Sequence, residues 1–539
     1  MGQANMIRCI LRDDPVQINI HDVWPVPPVT TLAAVLDALR TLTLRHEALR
    51  TTFPAQGEQL VSAEGEFTVT VLDHESFPEE PWRYAESVAR EARAGRFELG
   101  RDYPLRVSVL CLAGEPAFAA LAASHAVTDG GALAVLREEW LALLAGDELP
   151  APTGLTPLDL AAEEATSAGQ RKSAASLRHW ERIIRTGPQA MFAEPRAELT
   201  DWHLPQLTLR SGRGARALAR TAERTGSLPS TVLLGAWCTL VAHRAGQSSC
   251  VAAVPTSNRF HPKLARAVGA LSQDALLQLD LRVPTFDELL RRAWGAALNA
   301  YRHSQFDSVR LWEMIGRVTF ERGSDFARDV VFNDVSQLPA TLASAADRAA
   351  GEQTAELSWG PAQVLPTRLL AFAYQTDPLL HLSMWADPAL FTRAEAEGFL
   401  AGLVRLLEAA AEGDVPLDVL TAVTGVEPPV RDGSWQPVDQ CWVSPPAVAE
   451  ALAKALGGLP VHVGAADGEL TAHIAAGAAP LTPAEAHTAL MAALPGHPGL
   501  LAPHRYVIVR HPPAAGEAWH RQQTLLEGSG RERPPSHDD

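Results

Sequence analysis

The stretch Ser124-His-Ala-Val-Thr-Asp-Gly-Gly131 combines residue types and a spacing that could do chemistry. A neutral imidazole at His125 could take a proton from an attacking amine or hydroxyl. A carboxylate four residues on, Asp129, could set the ring's orientation or the local backbone. Spacing alone leaves plainer readings open: His125 as a satisfied histidine at a strand end, Asp129 as a helix N-cap contributing about 1 kcal/mol, Gly130 and Gly131 as turn residues. A second histidine–aspartate pair at the same spacing, His303-Ser-Gln-Phe-Asp307, reads as part of a helix and is assigned to surface or packing. The cysteines, Cys9, Cys111, Cys238, Cys250 and Cys441, lie too far apart for a Cys-x-x-Cys motif. They are therefore expected as buried free thiols, with no metal site and no disulfide framework.

The elements around the motif place it at the C-terminal end of a strand, where α/β folds put active sites. Alternating apolar residues predict a hairpin over 105–112 and 117–127, with Ala113-Gly-Glu-Pro116 as its turn. Leu133, Leu136, Trp140 and Leu143 then mark an amphipathic helix, and a helix of similar spacing precedes the hairpin over 32–49. A proline-punctuated crossing over 148–173 leads to a second block, 174–424, with a helix over 177–184 and an apolar one over 230–245. Strands follow at 251–254, 275–281, 330–333 and 379–385, and a helix over 392–411 closes it. The expected class is α/β, in two lobes over 1–173 and 174–424. A linker over 425–440 precedes a small α+β domain over 441–527, with strands at 461–463, 470–474 and 505–509 and a helix at 483–494. A disordered tail is expected over 528–539.

Length and charge bound the partners. A chain of 539 residues exceeds one ordinary core. With 46 basic against 63 acidic residues, its net charge of −17 argues against nucleic acid. The positive charge is almost wholly arginine, since Lys172, Lys263 and Lys454 are the lysines. The most apolar run, 232–242, is about half a membrane span, and the N-terminus lacks a signal-peptide core, so a soluble cytoplasmic protein is expected.

Several phrases, in one order, carry a likeness. Arg45-His-Glu-Ala-Leu-Arg-Thr-Thr-Phe53 resembles a segment of nonribosomal peptide synthetase condensation domains, and Ser124–Gly130 resembles their HHxxxDG motif with the first histidine replaced. His179-Trp-Glu181, 235–247, Val251-Ala-Ala-Val-Pro-Thr-Ser-Asn-Arg259, 268–281 and Val330-Val-Phe-Asn333 resemble later parts of that family. The resemblance implies two chloramphenicol-acetyltransferase-like lobes in a V, with a tunnel where carrier-bound phosphopantetheine arms meet. His125 would be the catalytic residue, Asp129 would pair with Arg259 as a structural ion pair, and Gly130 would keep the loop open to the acyl group. Ser124 and Asn333 would line the substrate path. No metal and no directly bound cofactor is implied; phosphopantetheine would arrive covalently on an acyl or peptidyl carrier protein.

The third block looks like a decayed C-terminal subdomain of an adenylation domain, on Leu470-Thr-Ala-His-Ile474, 481–495, Ala502-Pro-His-Arg-Tyr-Val507 and 512–521. Where that subdomain carries a Gly-Lys, this chain has Gly516-Glu517, reversing the charge. The block is then either a retained packing module or a platform for a carrier protein. No Leu-Gly-Gly-x-Ser carrier signature occurs, since Leu456-Gly-Gly458 continues Leu-Pro. The expectation is a freestanding condensation enzyme joining a carrier-bound acyl or aminoacyl thioester to an amine or alcohol. The alternatives are a catalytically idle carrier-docking scaffold and an O-acyltransferase using a soluble thioester.

Overall fold

The computed structural model describes residues 1–539 apart from 56, 65–67, 195–202, 339–355, 478, 515–517 and 533–539. Its first lobe is built on a four-stranded sheet in the order Ile20–Pro25, Glu115–Ala123, Leu105–Leu112, Val69–His74. The hairpin at its centre turns through Ala113 and Gly114, both at positive φ (50° and 83°), the left-handed geometry that tight two-residue turns need. This lets the second strand begin at Glu115, earlier than expected. It also ends early, at Ala123 rather than 127, because the chain folds into a turn closed by the Val127 amide on the Ser124 carbonyl at 3.2 Å.

The second lobe carries a seven-stranded sheet in the order Glu356–Val364, His203–Ser211, Leu380–Ala386, Leu369–Gln375, Val330–Asp334, Ser249–Thr256, Gln273–Asp280. Val330–Asp334 runs parallel to both its neighbours, and the other pairs are antiparallel. Helix Pro229–Ala245 is buried on nearly every side, which explains why its sequence has no polar stripe. The two helices flanking the His303–Asp307 pair are Phe286–Arg302 and Ser308–Arg322. That pair therefore lies in the turn between helices, not within one as expected. Asp307 caps the second helix through the amides of Val309 and Arg310 (2.9 and 3.2 Å), and His303 stacks on His179 at 4.8 Å.

The expected lobe boundary at 173/174 falls inside one helix, Ser167–Thr186, and the crossing before it is itself partly helical, Pro157–Ala165. Thr156 and Thr166 cap these helices with their hydroxyls and Pro157 opens the first of them, whereas Pro150 and Pro152 lie in irregular chain before it. The linker is structured at its end: Gln436–Val438 pairs with Cys441–Val443, and Val438 joins the third core. That core sits under a four-stranded sheet in the order Val461–Ala466, Glu469–Ala475, Arg505–Val509, Thr524–Gly528. The last strand lies partly in the expected tail, and Arg531 beyond it donates to the carbonyls of Ala502 and Pro503 (3.1 and 3.2 Å). The Gly516-Glu517 pair lies outside the described residues.

Candidate active site

Strand Glu115–Ala123 delivers the motif and helix Gly130–Leu144 carries the chain away from it. Asp129 is the N-cap, its Oδ1 accepting the Ala132 amide at 2.9 Å. Both its carboxylate oxygens also reach across to the second lobe. Arg259 approaches Oδ1 and Oδ2 at 2.8 Å each, and Oδ2 accepts from the amides of Leu271 and Ser272 and the Ser272 hydroxyl at 2.9–3.0 Å. Asp129 is 1% exposed. Burial alone would raise its pKa, but the Arg259 charge and hydrogen bond, with the Ala132 amide and His125, overcome it and hold the carboxyl below its usual range. The N-cap reading and the interlobe ion-pair reading are thus both realised by one side chain.

Arg259 is fixed as tightly as its partner. Its guanidinium donates to the carbonyls of Ser257, Ala267 and Gly269 (3.0–3.2 Å). It is presented by Asn258, which sits at φ +56°, a conformation asparagine tolerates better than most residues. The Asn258 amide holds the Leu271 carbonyl at 3.0 Å, and its oxygen accepts the Ser304 hydroxyl at 2.6 Å. The phrase Thr-Ser-Asn-Arg therefore encodes a turn as well as a charge.

His125 is half-buried in the turn between strand and helix. Among the described residues its buried Nδ1 has no hydrogen-bond partner. Burial lowers the ring's pKa below the ordinary histidine value, against a smaller opposing pull from Asp129, so the imidazole is neutral near pH 7. Ser124, expected on the substrate path, is fully buried instead. Its Oγ accepts the Ala126 amide at 3.3 Å and its carbonyl accepts the Thr128 hydroxyl at 3.0 Å. At this position the small hydroxyl side chain shapes the turn that carries His125. Asn333 is half-buried near the end of strand Val330–Asp334.

Two contacts escaped the sequence. A Cβ on Gly131 would stand 2.8 Å from the Arg259 guanidinium, so this glycine is required by the ion pair rather than by its turn. A Cβ on Gly130 would stand 3.0 Å from the Leu338 side chain, which reaches the motif from the loop after Val330–Asp334. Neither has a sequence signal, because both are approaches between distant segments. The Arg45–Phe53 phrase also gains a physical role. Arg45 and His46 meet the buried Glu139 on the motif's helix at 2.9 and 2.7 Å, while Arg266 from the second lobe approaches the same carboxylate at 3.5 Å. Burial pushes the Glu139 pKa up, but His46 and Arg45 together bring it below the usual range.

A condensation domain family model matches residues 25–424, covering both lobes and every motif residue. The chain belongs to the condensation domain family. Members of this family serve nonribosomal peptide biosynthesis, making amide bonds from substrates bound to carrier proteins. Phosphinothricin tripeptide synthetase PhsC of Streptomyces viridochromogenes is 28% identical over 306 residues, 53% of this chain and 27% of that protein. N-(5-amino-5-carboxypentanoyl)-L-cysteinyl-D-valine synthase of Amycolatopsis lactamdurans is 27% identical over 423 residues, 74% of this chain and 11% of that one. The chain thus spans about a quarter or less of these relatives. Among solved structures, the condensation domain of the monacolin K polyketide synthase MokA matches 77% of this chain and 98% of its own, at a TM-score of 0.60 and 18% identity. The X-domain from teicoplanin biosynthesis matches 77% and 96%, at 0.58 and 18%. These likenesses show the fold. This condensation domain is followed, beyond residue 424, by the third block.

Proposed function

We propose that this protein is a condensation enzyme acting in trans: it joins an acyl or aminoacyl group, delivered as a thioester on a carrier protein, to an amine or alcohol acceptor. The observation that carries this reading is a half-buried His125 on a turn that the Asp129–Arg259 pair fixes between the lobes. In the reaction, the acceptor nitrogen or oxygen attacks the thioester carbonyl, His125 takes the acceptor's proton or orients its lone pair, and the carrier's thiol leaves. General-base help of this kind contributes about 10² to 10⁴ in rate, and alignment of the two reactants supplies much of the rest. Phosphopantetheine enters as part of the carrier, and these 539 residues include no carrier signature of their own.

The test is product detection by mass spectrometry with acyl-loaded carrier proteins and a panel of amines and alcohols. The reading expects a condensed product whose formation requires the carrier. Product from a soluble thioester alone would make the protein an O-acyltransferase of another kind. Carrier binding with no product from any acceptor would leave the docking scaffold.

A further inference from the structure

Helix Ser167–Thr186 turns Arg171, Arg178 and Arg182 to solvent. Two further exposed arginines flank it. Arg302 ends helix Phe286–Arg302, whose next residue, His303, stacks on His179 of the first helix at 4.8 Å. Arg310 lies in the first turn of helix Ser308–Arg322, whose cap residue Asp307 donates its amide to Ser173 Oγ at 2.9 Å. Three helices thus bring five arginines to one face of the second lobe.

On a chain of net charge −17, that clustering runs against the average. Elsewhere on this lobe several exposed arginines meet carboxylates, Arg213 with Glu408, Arg220 with Glu412 and Arg282 with Asp280, while others unpaired among the described residues, such as Arg216 and Arg291, do not form a cluster of five. Among the described residues Arg171, Arg178, Arg302 and Arg310 have no ion pair, and Arg182 reaches His179 at 3.3 Å. The acids nearby are largely engaged, Glu181 by Arg185 and Arg317 and Asp307 in capping, while Glu313 is exposed. The face also abuts the site. Ser304, two residues beyond Arg302, donates to Asn258, the residue before Arg259.

We propose that the face formed by Arg171, Arg178, Arg182, Arg302 and Arg310 is where an acidic carrier protein docks. Unpaired cations on an acidic chain repel nothing on such a partner and steer its approach, while the rest of the surface disfavours it. The identity of the partner rests on the transfer reading above; the basic face does not.

The experiment measures binding of a fluorescein-labelled, phosphopantetheine-bearing acyl carrier protein by anisotropy. It compares the full chain, the triple reversal Arg178→Glu, Arg302→Glu, Arg310→Glu, and a control reversal Arg213→Glu, Arg216→Glu, Arg220→Glu on helix Gly212–Thr225. The proposal expects saturable binding to the unaltered chain, weakened about tenfold or more by the first reversal and by salt well above physiological strength. The control reversal should leave binding unchanged. Equal binding by the first reversal, equal weakening by both, or no saturable binding at all would overturn it. Failure of the transfer reading looks different: binding that depends on the face, with no condensed product from any acceptor.

Discussion

Asp129 and Arg259 are the residues on which the site's geometry turns, and their roles divide cleanly from that of His125. The carboxylate accepts an arginine, two amides, a hydroxyl and its own helix's amide, all away from solvent. Removing the arginine leaves a buried carboxylate short of its main counter-charge, a loss of about 3–5 kcal/mol. Arg259→Ala is therefore expected to lower the melting temperature markedly and abolish turnover together. Gly131→Ala, which pushes a methyl against the same guanidinium, should do both to a lesser degree. Thermal melts beside turnover assays check this; an Arg259→Ala protein with unaltered melting would contradict the structural role. The pair itself was legible from the motif and its likeness, whereas Gly131 and Ser272 were not. Their importance comes from a contact between segments over a hundred residues apart, and no local pattern encodes it.

Elements were legible where a local period or a turn residue set them. The hairpin before the motif, the apolar helix Pro229–Ala245 and the strand Arg505–Val509 follow from apolar runs bounded by glycine and proline. Helices Gly212–Thr225 and Ser308–Arg322 were not placed from the sequence, although each carries an apolar stripe: Ala215, Leu218 and Ala222 in the first, Leu311, Met314, Ile315 and Val318 in the second, which pack on helices Arg393–Glu412 and Ser167–Thr186 respectively. Strand His203–Ser211 alternates, yet its place between Glu356–Val364 and Leu380–Ala386 depends on partners some 150 residues away in sequence. Helix Gly130–Leu144 is the element that joins scale to scale. Its N-terminus holds the ion pair, and Glu139 further along is gripped by Arg45 and His46 of the first lobe and by Arg266 of the second. Glu139→Gln keeps the shape and removes the charge. It should reduce turnover severalfold while His125 keeps its environment, seen as an unshifted acid limb in the pH–rate profile. A shifted limb would mean that Glu139 acts on the histidine directly.

At the scale of the whole molecule, the third block is held to the second lobe by polar contacts that a loosely tethered domain would lack. Arg322 reaches Asp439 at the end of the linker at 2.7 Å, Gln189 holds the Pro498 carbonyl at 3.1 Å, and the Ala502 amide donates to Gly323 at 2.7 Å. His487 spans the junction. Its Nε2 donates to the Phe320 carbonyl at 3.0 Å, and its Nδ1 faces the Tyr506 hydroxyl at 3.1 Å. Burial, with Arg531 adding to it against the Phe320 carbonyl, pushes its pKa down to about 4. A histidine neutral in the fold and ordinary when unfolded contributes stability that is complete above about 6.5 and is lost as pH falls toward 4. Melting of the chain should therefore drop between those values, and His487→Gln should flatten that drop; an equal drop in the variant would contradict the assignment.

The central claim is that His125 is the group around which an acyl group is transferred. Single-turnover transfer from an acyl-loaded carrier to an accepted amine, followed in the unaltered chain and in His125→Ala across pH, tests it most directly. The account predicts a loss of about 100-fold or more in the variant with melting unchanged. It also predicts an acid limb below 6.5 in the unaltered chain, since burial lowers the imidazole's pKa. Equal rates in the two proteins, or a limb above 6.5, would contradict it.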